Sequence, residues 1–245
     1  MPNRFLVRPD PFSSLPLREN EVHVWSVQTN DKSSSPDDFK DLLSSVEQDR
    51  ASKFRFETDR RRYTISHAAL RSILSNYVND SARALQFAEG PYGKPKLAPN
   101  HAMERVEFNL SHSHELALIA VAQGREIGVD VEWVREAFAF DEVAQRFFTT
   151  KEVAALHALP FHLQREAFYK CWTSKEAFLK AKGTGLSGQL DEVDIVLTDH
   201  GVGVKGTIAN FSLIELAVDS GYVAALVAKG AEPQLSYYAW RRSGK

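Results

Sequence analysis

An α+β fold built from two similar lobes is the expectation for this chain of 245 residues, and three observations lead to it. Phe108-Asn109-Leu110 ahead of the apolar run Leu116 to Ala120 recurs as Phe211-Ser212-Leu213 ahead of Val223 to Val227. Each of these strand pairs follows a region of helical periodicity. Gly124 to Gly128 offers a joint between the halves. The expected boundaries are an extended arm over 1–20, an N-terminal lobe over 21–125 and a C-terminal lobe over 126–245, with a site where the lobes meet. Chance likeness of two ordinary hairpins is the plainer alternative.

In chain order, the arm holds Pro2, Pro9, Pro11 and Pro16 and lacks periodicity. Val22 to Val27 alternates as a strand, and Asp31 to Pro36 is a polar loop leading into a short helix. Arg60 to Val78 reads as a long amphipathic helix with Ile65, Ala69, Ile73 and Tyr77 on one stripe. Gly90-Pro91-Tyr92-Gly93-Lys94-Pro95 is expected to be a loop without regular pairing. Strands follow at Val106 to Leu110, Leu116 to Ala122 and Ile127 to Trp133. Thr149 with Glu152 is a capping-box signature for a helix stopping at Pro160, and Leu163 to Lys182 is a longer helix ended by Gly183. After the irregular stretch with Gly185 and Gly188 come strands at Val193 to Leu197, Phe211 to Val218 and Tyr222 to Ala228, the last two joined by Asp219-Ser220-Gly221.

Composition narrows the function. A net charge of −2 gives no global attraction to nucleic acid, so no nucleic-acid partner is expected. No apolar run is long enough to span a bilayer and no cleavable signal is visible, which points to the cytoplasm and no membrane partner. The single cysteine, Cys171, cannot form an internal disulfide and lies among Phe168, Trp172, Phe178 and Leu179, where it reads as core.

The chemistry-bearing residues are concentrated in two stretches. Strand alternation in Ile127-Gly128-Val129-Asp130-Val131-Glu132 puts Asp130 and Glu132 on one side. Helical spacing in Trp172-Thr173-Ser174-Lys175-Glu176-Ala177-Phe178-Leu179-Lys180 stacks Trp172, Glu176 and Lys180. Three carboxylates and a lysine suit a divalent metal acting on a phosphate ester. Alone, the strand acids read as solvent-facing and the helix pair as an ordinary i,i+4 ion pair. Lys94, Arg50, Arg61 and Arg62 are candidate phosphate contacts or plain surface charge. His112, in Ser111-His112-Ser113-His114, suits a phosphate better than zinc, since no third ligand is suitably spaced.

Taken in order, Tyr92-Gly93-Lys94-Pro95, Phe108-Asn109-Leu110-Ser111-His112-Ser113, Ile127 to Glu132, Arg146-Phe147-Phe148 and Trp172 to Lys180 resemble the 4′-phosphopantetheinyl transferases. The likeness runs from about Arg50 to Ala228 and is to the two-lobed, monomeric, surfactin-type class. It implies two α/β lobes related by a pseudo-two-fold. It also implies transfer of the phosphopantetheine arm of coenzyme A to a serine of an acyl or peptidyl carrier protein, releasing adenosine 3′,5′-bisphosphate.

By that resemblance Asp130, Glu132 and Glu176 are the Mg2+ ligands, and Glu176 also accepts the serine proton. Asp130, Glu176 and Lys180 form the catalytic set, with Lys180 on the phosphates. His112 meets the 3′-phosphate with Arg62 and Arg50 near it, Tyr92 to Pro95 border the adenine with Lys94 on a phosphate, and Ser111 approaches the pyrophosphate. A lysine of some relatives is Glu47 here. The carrier is expected to dock over Phe138 to Leu159, with Phe138, Phe140 and Phe147 as exposed candidates or else core. Two readings compete with the transferase: a Mg-dependent phosphohydrolase of coenzyme A-like nucleotides, and a non-catalytic carrier-binding homologue.

Overall fold

The computed structural model describes residues 6–7, 15–31, 35–78, 80–98, 105–185, 195–197, 204–205, 207–208 and 210–241. Most of the proline-rich arm, Gly188 and the start of the strand expected from Val193 lie outside them. The strands are β1 (Leu6–Val7), β2 (Glu21–Gln28), β3 (Phe87–Glu89), β4 (Pro95–Leu97), β5 (Val106–Ser113), β6 (Leu116–Gln123) and β7 (Ile127–Trp133). They continue as β8 (Val196–Leu197), β9 (Val204–Lys205), β10 (Thr207–Ile208), β11 (Phe211–Glu215), β12 (Tyr222–Lys229) and β13 (Gln234–Trp240). A 3-10 helix spans Pro36–Leu42, and the α-helices are α1 (Ser45–Ser52), α2 (Glu57–Leu74), α3 (Phe140–Phe147), α4 (Thr150–Ala158) and α5 (Phe161–Lys182).

The chain divides into two compact units, a mixed α/β arrangement with one core in each. The β2 unit takes in Arg4–Ala88, Pro95–Gly124 and Gln234–Lys245; the β7 unit takes in Glu89–Lys94 and Arg125–Pro233. In the β2 unit the sheet order is β1-β13-β2-β6-β5, with β13 parallel to β2 and β6 antiparallel to both β2 and β5. Ile65, Ala69 and Ile73 of α2 are buried in its core with Trp25, Val27, Phe108 and Ile119. The expected C-terminal lobe reached residue 245, but β13 joins the sheet of the β2 unit. Hydrogen bonding along Gln234↔Glu21 to Trp240↔Val27 covers an edge of β2 that would otherwise carry unpaired amides.

In the β7 unit the order is β10-β11-β12-β7, all antiparallel. Gly128, Asp130 and Glu132 sit opposite Val227, Ala225 and Val223, and those three apolar partners belong to one core with Ala177, Phe178 and Ala181 of α5. Cross-strand partners share a face, so the two acids lie on the side of the sheet that α5 covers. Gly183 ends α5 in the left-handed conformation at φ 68°, its N–H donating to the Leu179 carbonyl.

The loop expected over Gly90 to Pro95 is the tip of the β3–β4 hairpin. Pairing resumes at Pro95, the first residue of β4, where a proline costs a strand least. Phe140 is buried, while Phe138 and Phe147 pack against the same core, with Phe147 edge-on to Trp172. Of the two readings offered for these aromatics, core is the one observed.

Candidate active site

The site is clearest on α5. From Cys171 to Ala181 every residue is buried except Trp172, Glu176 and Lys180. A helix packed on nearly all sides thus leaves open one i,i+4,i+8 stripe, the one that helical spacing had singled out. Trp172 anchors this stripe against Phe147 and Phe168, at ring-centroid distances of 5.6 and 6.1 Å.

Opposite the stripe, Asp130 is 4% exposed, and Lys180 Nζ donates to its Oδ1 at 2.6 Å. Glu176 feels both strand acids. Burial pushes its carboxyl up first, the charge of Asp130 next and that of Glu132 further, against an opposing pull from Lys180, to about 7. The four side chains therefore form one electrostatic cluster rather than a solvated ion pair and two surface acids.

Gly128 makes this closeness possible. A Cβ there would lie 2.0 Å from the Ala177 carbonyl oxygen and 2.3 Å from the Ala181 nitrogen, so only glycine lets β7 lie directly against α5. Two residues further along the strand, Asp130 comes into reach of Lys180.

All the ligands offered are carboxylate oxygens, the donor type of a hard divalent cation, and their mutual repulsion is what such a cation relieves. Among the described residues, no three His, Cys, Asp or Glu side chains are grouped closely enough to hold an ion as they stand.

The remaining expected residues are placed as follows. Lys94, at the hairpin tip, donates to the carbonyls of Ile127 at 2.9 Å and Ala181 at 3.2 Å. These two bonds tie the end of α5 to the start of β7. Arg50, Arg62, Pro95, Ser111 and His112 belong to the β2 unit. The Arg50 guanidinium lies 5.5 Å from the centre of the Tyr63 ring, and Arg62 pairs with Asp59 at 3.5 Å. Ser111 is buried and His112 exposed, as alternation along β5 requires. Cys171 is fully buried, and burial pushes its thiol up to about 12, consistent with a core role.

A 4'-phosphopantetheinyl transferase HetI from Nostoc sp. is 37% identical over 227 residues, covering 92% of this chain and 95% of the relative. The chain belongs to the 4′-phosphopantetheinyl transferase family. Residues 126–227 match the 4'-phosphopantetheinyl transferase superfamily, and residues 32–124 match the N-terminal region described for 4'-phosphopantetheinyl transferases. The 4'-phosphopantetheinyl transferase Sfp of Bacillus subtilis is 28% identical, covering 78% of this chain and 84% of the relative. A human L-aminoadipate-semialdehyde dehydrogenase-phosphopantetheinyl transferase is 25% identical over 64% of this chain and 53% of its own length.

Within this phosphopantetheinyl transferase, two features of the site escaped the reading of the sequence. One is the close approach at Gly128, signalled only by an isolated glycine inside a strand pattern. The other is Lys175, wholly buried next to Glu176 and paired with Glu152 at 2.9 Å. Its signal was the capping-box glutamate, read for its local role alone.

Proposed function

We propose that this chain transfers the 4′-phosphopantetheine arm of coenzyme A to a serine of an acyl or peptidyl carrier protein, acting in the cytoplasm as a monomer. The observation that carries the reading is the cluster of Asp130, Glu132, Glu176 and Lys180 in a chain of this family. In this reading the serine Oγ bonds to the phosphorus bearing the pantetheine arm while the P–O bond to the nucleotide breaks. The serine proton passes to Glu176, and adenosine 3′,5′-bisphosphate departs with the electron pair.

Glu176, whose carboxyl burial and the charge of Asp130 push up to about 7 with no metal bound, is the carboxylate of the cluster assigned to that duty. Asp130, Glu132 and Glu176 would hold Mg2+, which when bound offsets pyrophosphate charge and improves the leaving group. Lys180, half-buried and paired with Asp130, would stabilise charge on the departing phosphate. His112, Arg62, Arg50, Lys94, Pro95 and Ser111 are proposed to receive the nucleotide end.

The test is mass spectrometry of a panel of apo-carrier proteins incubated with the protein, coenzyme A and Mg2+. A phosphopantetheine adduct on the carrier serine is expected. Release of adenosine bisphosphate without a carrier would turn the reading toward a phosphohydrolase, and no turnover of either kind would leave only a binding role.

A further inference from the structure

Lys175 and Glu152 have no part in the chemistry just described, yet both are closed off from solvent, at 0% and 1% side-chain exposure. Glu152 is the N3 residue of α4. Its Oε2 accepts from the Thr149 N–H at 2.8 Å and from Lys175 Nζ at 2.9 Å, and its Oε1 accepts from the Ile195 N–H at 2.8 Å. The Lys175 ammonium also lies 5.6 Å from the centre of the Phe148 ring. One carboxylate thus joins the start of α4, the segment at Ile195 and the middle of α5.

We infer that Lys175 and Glu152 are positioning residues for the transfer: their ion pair sets the rotation of α5 about its own axis and so aims Glu176 and Lys180 at Asp130. Successive helical residues are about 100° apart, so fixing Lys175 fixes Glu176 beside it and Lys180 roughly 40° further round. A swivel of about 30° would carry a side-chain tip roughly 3 Å, given a helix radius of about 5–6 Å with side chains. That is more than the 2.6 Å contact between Lys180 and Asp130 can absorb. Gly128 sets how near the strand comes to α5, but backbone proximity does not stop the helix from turning. A fully buried ion pair is a poor choice for stability alone, since well-packed apolar residues commonly do as well, and it gains its value by selecting one arrangement.

This inference rests on the proposed transfer for its kinetic readout, and a crystallographic readout tests it independently. Lys175→Met alone leaves Glu152 charged and buried, and Tm and transfer are both expected to fall. Adding Glu152→Gln removes that charge while keeping an oxygen acceptor. Assayed well below its own Tm, the double variant is expected to regain most of the Tm. Its kcat should stay at least about tenfold down, with KM for coenzyme A within about twofold of the starting enzyme. Lys175→Arg should restore kcat. A crystal structure of the double variant is expected to show Lys180 Nζ moved out of hydrogen-bond range of Asp130. Recovery of kcat in step with Tm, or an unmoved Lys180–Asp130 contact, would overturn the inference. If the unaltered protein transfers nothing, the proposed function fails while the crystallographic arm still judges the positioning role.

Discussion

In the β2 unit the chain passes from β2 through the 3-10 helix, a capped short helix and a long helix into the antiparallel pair β5–β6, and β6 pairs back onto β2. In the β7 unit it passes from β7 through α3, a capped short helix and a long helix into β11–β12, and β12 pairs back onto β7. The likeness reaches single side chains. Ser44 caps α1 and Thr149 caps α4, each with a glutamate at N3 completing the box. Glu47 then takes Arg71 of α2 at 2.6 Å, and Glu152 takes Lys175 of α5 at 2.9 Å. Both units thus clasp the long helix by the same device, and one residue later they part. After Arg71 comes Ser72; after Lys175 comes Glu176. The fold repeats its scaffold, but of the two positions that follow the clasp only the one in the β7 unit carries a carboxylate.

That comparison can be broken at several points. The largest effect is expected at the residues where the units differ: Asp130→Ala and Glu176→Gln should each cut transfer on the order of 10³-fold or more at unchanged Tm. Ser72→Ala should change transfer less than about twofold in the same mass-spectrometric assay. Arg71→Met should destabilise by roughly 3 kcal/mol in denaturant unfolding, because Glu47 is left charged and the carbonyls of Ala82 and Leu85 lose their donor. Its kcat per folded molecule should hold, in contrast to Lys175. Gly128→Ala should cost about 2 kcal/mol through overpacking and lower kcat as well, read from the same unfolding and steady-state measurements.

The smallest effect is on pH dependence. Burial pushes Glu47 up, but hydrogen bonds from His67 and from the Ser44 amide and hydroxyl, with the charge of Arg71, outweigh it and hold the carboxyl at about 2. A carboxyl held below its ordinary 4.5 contributes stability that is fully present above pH 4.5 and is lost as pH falls toward 2. Unfolding midpoints taken from pH 6 down to 2 should therefore fall more steeply for the unaltered protein than for Glu47→Gln.

What the sequence could disclose was set by distance along the chain. Asp130 with Glu132, and Glu176 with Lys180, each lie within one element, where strand and helix periods speak directly. Thr149 and Glu152 were legible as a cap for the same reason, and Ser44 with Glu47 had the same pattern. The long-range half of each clasp was not legible, because its two residues sit on different helices and no local period links them. Lys94 was legible as a cation, but its carbonyl partners lie 33 and 87 residues away. The strand β13 was missed because its half-buried run Leu235 to Trp240 offers no alternation of polar and apolar residues.

That last strand has a bearing on synthesis. Because β13 lies between β1 and β2, the sheet that opens near the amino terminus is finished by residues emerging about 200 positions later. A nascent chain would leave the ribosome with the outer amides of β2 exposed, ready to pair with whatever strand is nearest. The β7 unit has all its own strands before β13 is made. The unit translated first would then be the one completed last, and chains cut short before Gln234 should be the aggregation-prone products of this gene.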